Sequence, residues 1–65
     1  MKIKLRNDGG YGDMENVIFP AEVEGRDWLG FGFDILGSEI VRVGGKPGEW
    51  KPDEYYYWSN DEVQQ

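Results

Sequence analysis

The sequence predicts a small all-β domain: an antiparallel sheet of four to five strands, closed as an SH3-like barrel or rolled sheet, with little or no helix. Three observations lead there. Apolar and polar residues alternate at a period of two in several short runs. Glycine- and proline-containing stretches separate those runs. No stretch of about ten residues keeps the 3.6-residue period of an amphipathic helix. Closing a small sheet on itself removes most of its open edges, which favours the barrel.

The first strand is Met1 to Arg6. Met1, Ile3 and Leu5 share one face and Lys2, Lys4 and Arg6 the other, so three of the seven basic residues lie on one outer face. Asn7 to Asn16 reads as a loop of Gly, Asn and Asp turn formers. Val17 to Glu24 follows as a strand with Phe19, Ala21 and Val23 inward. Pro20 cannot donate to a ladder and marks an edge, a bulge or a strand start. Residues 24–27, "EGRD", are expected to turn. Trp28 to Leu36 is the clearest alternation, with Leu29, Phe31, Phe33 and Ile35 on one face and Gly30, Gly32 and Asp34 on the other. Its glycines imply a bend or a group packed close. Glu39 to Val43 is expected as a further strand, and the best helical opportunity is a single turn near "GSEI" or "PDEY". A long loop leads to the last strand, Tyr55 to Trp58. The whole chain, 1–65, makes one domain, with 60–65 expected to fray.

Sixty-five residues bury only about 60% of the surface the unfolded chain exposes. No cysteine is present to staple the fold or bind zinc, and no histidine to ligate a metal or act as a base near neutral pH. The core must work through three Phe, four Tyr and three Trp. Thirteen acids against seven bases leave a net charge of −6, which disfavours direct binding to nucleic acid or an anionic membrane and suits a basic protein partner. No apolar run reaches membrane-spanning length and no signal-type apolar region begins the chain, so the expected location is the cytoplasm.

Catalytic constellations are lacking. "DGGYGD" at 8–13 lacks the Lys and Ser/Thr of a phosphate loop, and counting from Asp8 it misses the acids of an EF-hand. It reads as a plain loop, with weak calcium binding by Asp8, Asp13 and Glu15 the alternative. Neighbouring carboxylates such as Glu22/Glu24 and Asp53/Glu54 have no evident cleft to separate their pKa values. Two serines, with no Thr, Cys or His, leave little material for a nucleophile. The chain is therefore expected not to be an enzyme and to need no cofactor or metal. Trp28 and Trp50 are spaced as in a WW domain, but no tyrosine pair lies between them.

The run "DEYYYWSND", residues 53–61, sets the functional question. In a strand Tyr55 and Tyr57 face one side, Tyr56 and Trp58 the other. One pair belongs in the core. Either the other is covered by Trp50 folding back, or it forms a partner surface. On the second reading Trp50, Tyr56 and Trp58 anchor the partner, and Asp53, Glu54 and Asp61 form an acidic rim that selects a basic target. Stacking of single-stranded nucleic acid would need Lys2, Lys4 and Arg6 beside Tyr56 and Trp58.

The succession "VIFPAEVEG", "FDILGSEIVRVGG", an aromatic run and a short tail resembles the small accessory proteins of bacteriophages and prophages, over roughly residues 2–63. That resemblance implies a small β-rich domain in a bacterial or infected cytoplasm and supplies no catalytic residue. The leading expectation is a non-catalytic protein-interaction module. An acidic DNA mimic and a self-associating structural subunit, dimerising through an edge strand, are the alternatives.

Overall fold

The computed structural model describes residues 1–64. Five antiparallel strands form one sheet: β1 (Lys2–Leu5), β2 (Ala21–Trp28), β3 (Gly32–Leu36), β4 (Tyr55–Ser59) and β5 (Val63–Gln64), in the order β4-β3-β2-β1-β5. One short helix, α1 (Gly37–Arg42), follows β3, and a 3-10 turn (Asn60–Glu62) links β4 to β5.

The connectivity requires the sheet to roll. In a flat sheet with strands ~4.8 Å apart, the outermost strands would lie about 19 Å from each other. Ser59 and Val63 end and begin those two outer strands, and four residue steps span at most about 14 Å even fully extended. The linker is a 3-10 turn and shorter still. The two ends of the sheet must therefore curl toward each other.

β2 makes the roll. Its first half, Ala21–Glu24, pairs with β1, and its second half, Gly25–Trp28, pairs with β3. Gly25 sits where the partner changes, and a Cβ there would meet Ile3 Cδ1 at 2.9 Å. The expected turn at 24–27 is thus a bend inside one continuous strand. Pro20 immediately precedes β2, where a missing donor is harmless.

Two other expectations change. The turn after β2 comes at Leu29–Gly30, both at positive φ (53° and 80°), closed by Phe31 N–H donating to the Trp28 carbonyl at 2.9 Å. The tight turn spans Trp28–Phe31, and three residues, Leu29 to Phe31, separate the paired Trp28 and Gly32 in a short hairpin loop. The apolar alternation of 28–36 therefore runs across a turn, and only Phe33 and Ile35 face inward. The strand expected at 39–43 is instead most of α1. Ile40 alone of its residues is a fully buried apolar side chain, while Glu39 and Arg42 pair one turn apart at 2.9 Å. Glycines bound the helix. Gly37 packs so closely on the Lys51 carbonyl that no Cβ fits, and Gly44, at φ 124°, lies against the Asn16 carbonyl.

The core fills the inside of the roll. Ile3, Leu5, Val23, Phe33, Ile35, Ile40 and Trp58 are its most deeply buried side chains, and Met14, Val17, Trp50 and Val63 close it. Residues 60–64, expected to fray, are held. Ser59 and Glu62 form a capping box, Val63 is buried, and β5 pairs with Lys4 and Leu5. Gln65 lies outside the described residues.

Candidate functional site

The register settles which half of the β4 aromatics lies inside. Tyr56 stands opposite Ile35 and Trp58 opposite Phe33, both inward-facing, so these two go to the core. Trp58 is completely buried and its indole N–H donates to the Asn7 carbonyl at 3.1 Å. Trp50 is buried too, with its indole aimed at the Asp13 carbonyl at 3.3 Å. Tyr56 is half-buried, and its hydroxyl accepts the Lys51 N–H at 3.0 Å. Trp50 meets Tyr56 edge to face with centroids 4.7 Å apart, and Tyr11 completes the cluster 4.9 Å from Trp58. Trp50 thus folds back, as one reading expected, but onto the inner pair.

The expected anchors Trp50 and Trp58 are therefore core residues, 5% and 0% exposed, rather than rings standing out on a surface. The expected rim is divided as well. Asp53 and Glu54 are exposed just before β4, whereas Asp61 is exposed in the 3-10 turn beyond its other end. Glu54 pairs with Lys51 at 3.7 Å. Stacking on Tyr56 and Trp58 beside β1 is likewise closed, and across the strands Lys2 and Lys4 stand opposite Glu24 and Glu22.

The exposed rings are elsewhere. Five of the seven large apolar side chains left exposed among the described residues belong to the outer face of β2-β3-β4 and its hairpin: Trp28, Leu29, Phe31, Tyr55 and Tyr57. Leu29 is 77% exposed and Phe31 65%, at the tip; Trp28 (45%) and Tyr57 (41%) stand behind them. These exposed apolar side chains are clustered on one face rather than scattered singly.

Glycine and backbone bonds hold the rings in place. Gly32 lies under Tyr57, where a Cβ would come within 2.6 Å of the ring. The Tyr57 hydroxyl donates to the Phe31 carbonyl at 2.9 Å, tying β4 to the hairpin. Trp28 packs near-perpendicular to Tyr57 (77°) and tilted against Phe31, each with centroids 6.0 Å apart. Asn60 Nδ2 donates to the Gly30 carbonyl at 2.8 Å and braces the tip from the 3-10 turn. Between Trp28, Tyr57 and Asp34 opens a slot of about 400 Å³. Arg26 sits beside it, 3.6 Å from Asp34 and with its guanidinium 3.6 Å above the Tyr55 ring.

Two further concavities exist. One, lined by Lys2, Glu22, Glu24, Glu39 and Arg42, holds a mutually satisfied network in which Arg42 donates twice to Glu39 and Glu39 accepts the Glu24 N–H at 2.8 Å. Those bonds, chiefly from Arg42, hold the Glu39 carboxyl below the usual carboxylate range, and the pair raises the Arg42 guanidinium. The other is an apolar cleft between α1 and residues 47–52, with Trp50 lining it. No group of three or more potential metal ligands converges among the described residues.

The free edge of β4 is occupied at its centre. The Tyr11 hydroxyl donates to the Tyr57 carbonyl at 3.0 Å and accepts the Tyr57 N–H at 3.2 Å.

Fold and surface together define a class: a small rolled β domain carrying a braced aromatic platform on its outer face. No protein-family model, no curated protein and no solved structure matches this chain.

Proposed function

We propose that the chain is a non-catalytic interaction module that docks a basic protein on the platform of Trp28, Leu29, Phe31, Tyr55 and Tyr57. One observation carries the reading: a leucine, 77% exposed, occupies a left-handed hairpin position at the tip of a cluster of exposed rings. A bulky apolar residue there costs folding energy and recovers nothing from the core, which is the mark of a residue kept for contact. The outward charge favours a basic partner. Among the described residues, five of the 13 acids have a cation within 4 Å and eight do not, while Lys4, Arg6 and Lys46 have no acid within that distance.

The fold of this module reads as SH3-like. The strand order, the bent β2 shared by both halves and the 3-10 turn between the last two strands support it. Among the described residues no helix is long and apolar enough to cross a membrane. On this reading the chain works in the cytoplasm as an accessory factor of the phage or prophage type. An acidic DNA mimic finds less support, because Glu22 and Glu24 stand opposite lysines and the other acids are spread over loops, strands, the helix and the 3-10 turn rather than gathered on one face.

The test is capture of a partner from a bacterial lysate by immobilised protein, followed by affinity measurement with the identified partner. Trp28→Ala and Phe31→Ala should each weaken binding by about tenfold or more, with the circular dichroism spectrum unchanged. Wild-type affinity in both variants would remove the platform from consideration.

A further inference from the structure

We propose that the slot between Trp28 and Tyr57 seats a single arginine side chain of the docked protein, with Asp34 as its counter-ion. This deepens the docking reading and rests on it.

Asp34 is the unusual residue. It lies at the centre of β3, on the outer face, with its side chain only 13% exposed. A carboxylate so far withdrawn from water ordinarily accepts several hydrogen bonds or pairs closely with a cation. Asp34 accepts no side-chain hydrogen bond among the described residues. Its one cation, Arg26, stays 3.6 Å away, beyond hydrogen-bonding distance, and rests over Tyr55 instead. The carboxylate therefore has acceptor capacity left, and the slot opens onto it.

The walls suit a cation. Trp28 and Tyr57 form a corner at 77°, and Trp is the best ring for attracting one. The same face already demonstrates the contact within the chain, in the stacking of Arg26 on Tyr55. Arginine fits better than lysine for two reasons. Its planar guanidinium can lie on a ring while its in-plane N–H groups reach the carboxylate, and it is less strongly hydrated than an ammonium group. The net charge of −6, with eight acids that have no cation within 4 Å among the described residues, supplies the long-range attraction that brings a basic segment to this face.

The experiment follows the Trp28 indole N–H by nuclear magnetic resonance while the protein is titrated with N-acetyl-arginine amide. N-acetyl-citrulline amide, of the same shape without the charge, and N-acetyl-lysine amide are the controls. The arginine probe should shift the indole signal saturably, and the citrulline probe should bind about tenfold more weakly. Asp34→Asn should weaken arginine about tenfold while leaving the signals of Trp50 and Trp58 and the melting temperature in place. High salt should weaken the arginine probe and leave the citrulline probe unaffected, a comparison that needs no variant. Equal binding of citrulline and arginine, or unchanged arginine binding in Asp34→Asn, would overturn the proposal. Equal binding of lysine would overturn the assignment to arginine. If the slot alone is wrong, Trp28→Ala and Phe31→Ala still lose the captured partner while Asp34→Asn keeps it. If the docking face is wrong, all three variants keep it.

Discussion

At the scale of single residues, stability and exposure are set against each other at the hairpin tip. Leu29 holds φ 53° without burying its side chain. Left-handed backbone costs an ordinary residue about 1–2 kcal/mol, and Asn before Gly is the favoured pair for this turn. Leu29→Asn should therefore stabilise the domain by about 1 kcal/mol and raise its melting temperature by about 4–8 °C. The same change should weaken partner binding. A lower melting temperature would show that Leu29 stabilises through packing and would remove the argument for its role. The two tryptophans that flank the hairpin pair, Trp28 outside and Trp58 inside, give the complementary test. Trp58→Ala removes a fully buried ring at a cost of about 3–5 kcal/mol, comparable to the whole margin of a domain this small. It should be unfolded by circular dichroism, whereas Trp28→Ala should retain its fold. The sequence placed Trp58 on the partner surface because alternation divides a strand into two faces without saying which is dry. The missing information was the register: Trp58 faces Phe33 and Tyr56 faces Ile35 across the β3–β4 pair.

At the scale of elements, legibility followed the strength of each local pattern. β1 was readable because three apolar and three basic residues alternate without interruption, and β4 because its aromatics alternate across two faces. The hairpin was hidden because Leu29 and Phe31 continue the apolar alternation through the turn, and only Gly30 signals it. The bend at Gly25 looked like a turn because glycine serves both purposes, and only the switch of partner strands distinguishes them. α1 was misread as a strand because Ile40, Val41 and Val43 are β-branched. Tertiary bonds outweigh that preference: Gly37 N–H reaches the Glu54 carbonyl at 2.8 Å, and Arg42 reaches the Glu22 carbonyl at 3.1 Å. Glu39 is the hinge of this anchoring, bonded to Arg42 and to the Glu24 N–H. Its folded pKa is lowered, first by the Arg42 hydrogen bond. Its contribution is thus fully present above the unfolded-state pKa and is lost as the pH falls through the folded value. Glu39→Gln should be less stable than wild type at neutral pH by about 1 kcal/mol. The gap should close as the solution is acidified below the ordinary carboxylate range. A gap that stays constant in denaturant titrations across that range would show that the charge of Glu39 does not anchor the helix.

At the scale of the molecule, a rolled five-stranded sheet still ends in two edges, and what covers them decides whether the chain stays single. β5 is only two residues long and offers little ladder to a neighbour. β4 is longer, and the middle of its free edge is closed by one hydroxyl group, that of Tyr11. Tyr11 comes from the 7–20 loop and packs on Trp50, Tyr56 and Trp58, so its ring is fixed by the aromatic cluster while its hydroxyl substitutes for a missing strand. This divides the labour of one residue: the ring serves the core, the oxygen serves the edge. Tyr11→Phe separates the two. The ring remains, the cluster stays packed, and the Tyr57 N–H and carbonyl are left free to pair. The variant should lose about 1 kcal/mol of stability in denaturant unfolding. It should also associate in a concentration-dependent way by sedimentation velocity, under conditions where the wild type sediments as a monomer. Joining two copies through β4 would carry the exposed Tyr55 and Tyr57 to the seam, so association should compete with partner docking on the platform. A Tyr11→Phe protein that remains monomeric at every concentration would mean that the loop backbone, and not the hydroxyl, keeps the edge closed.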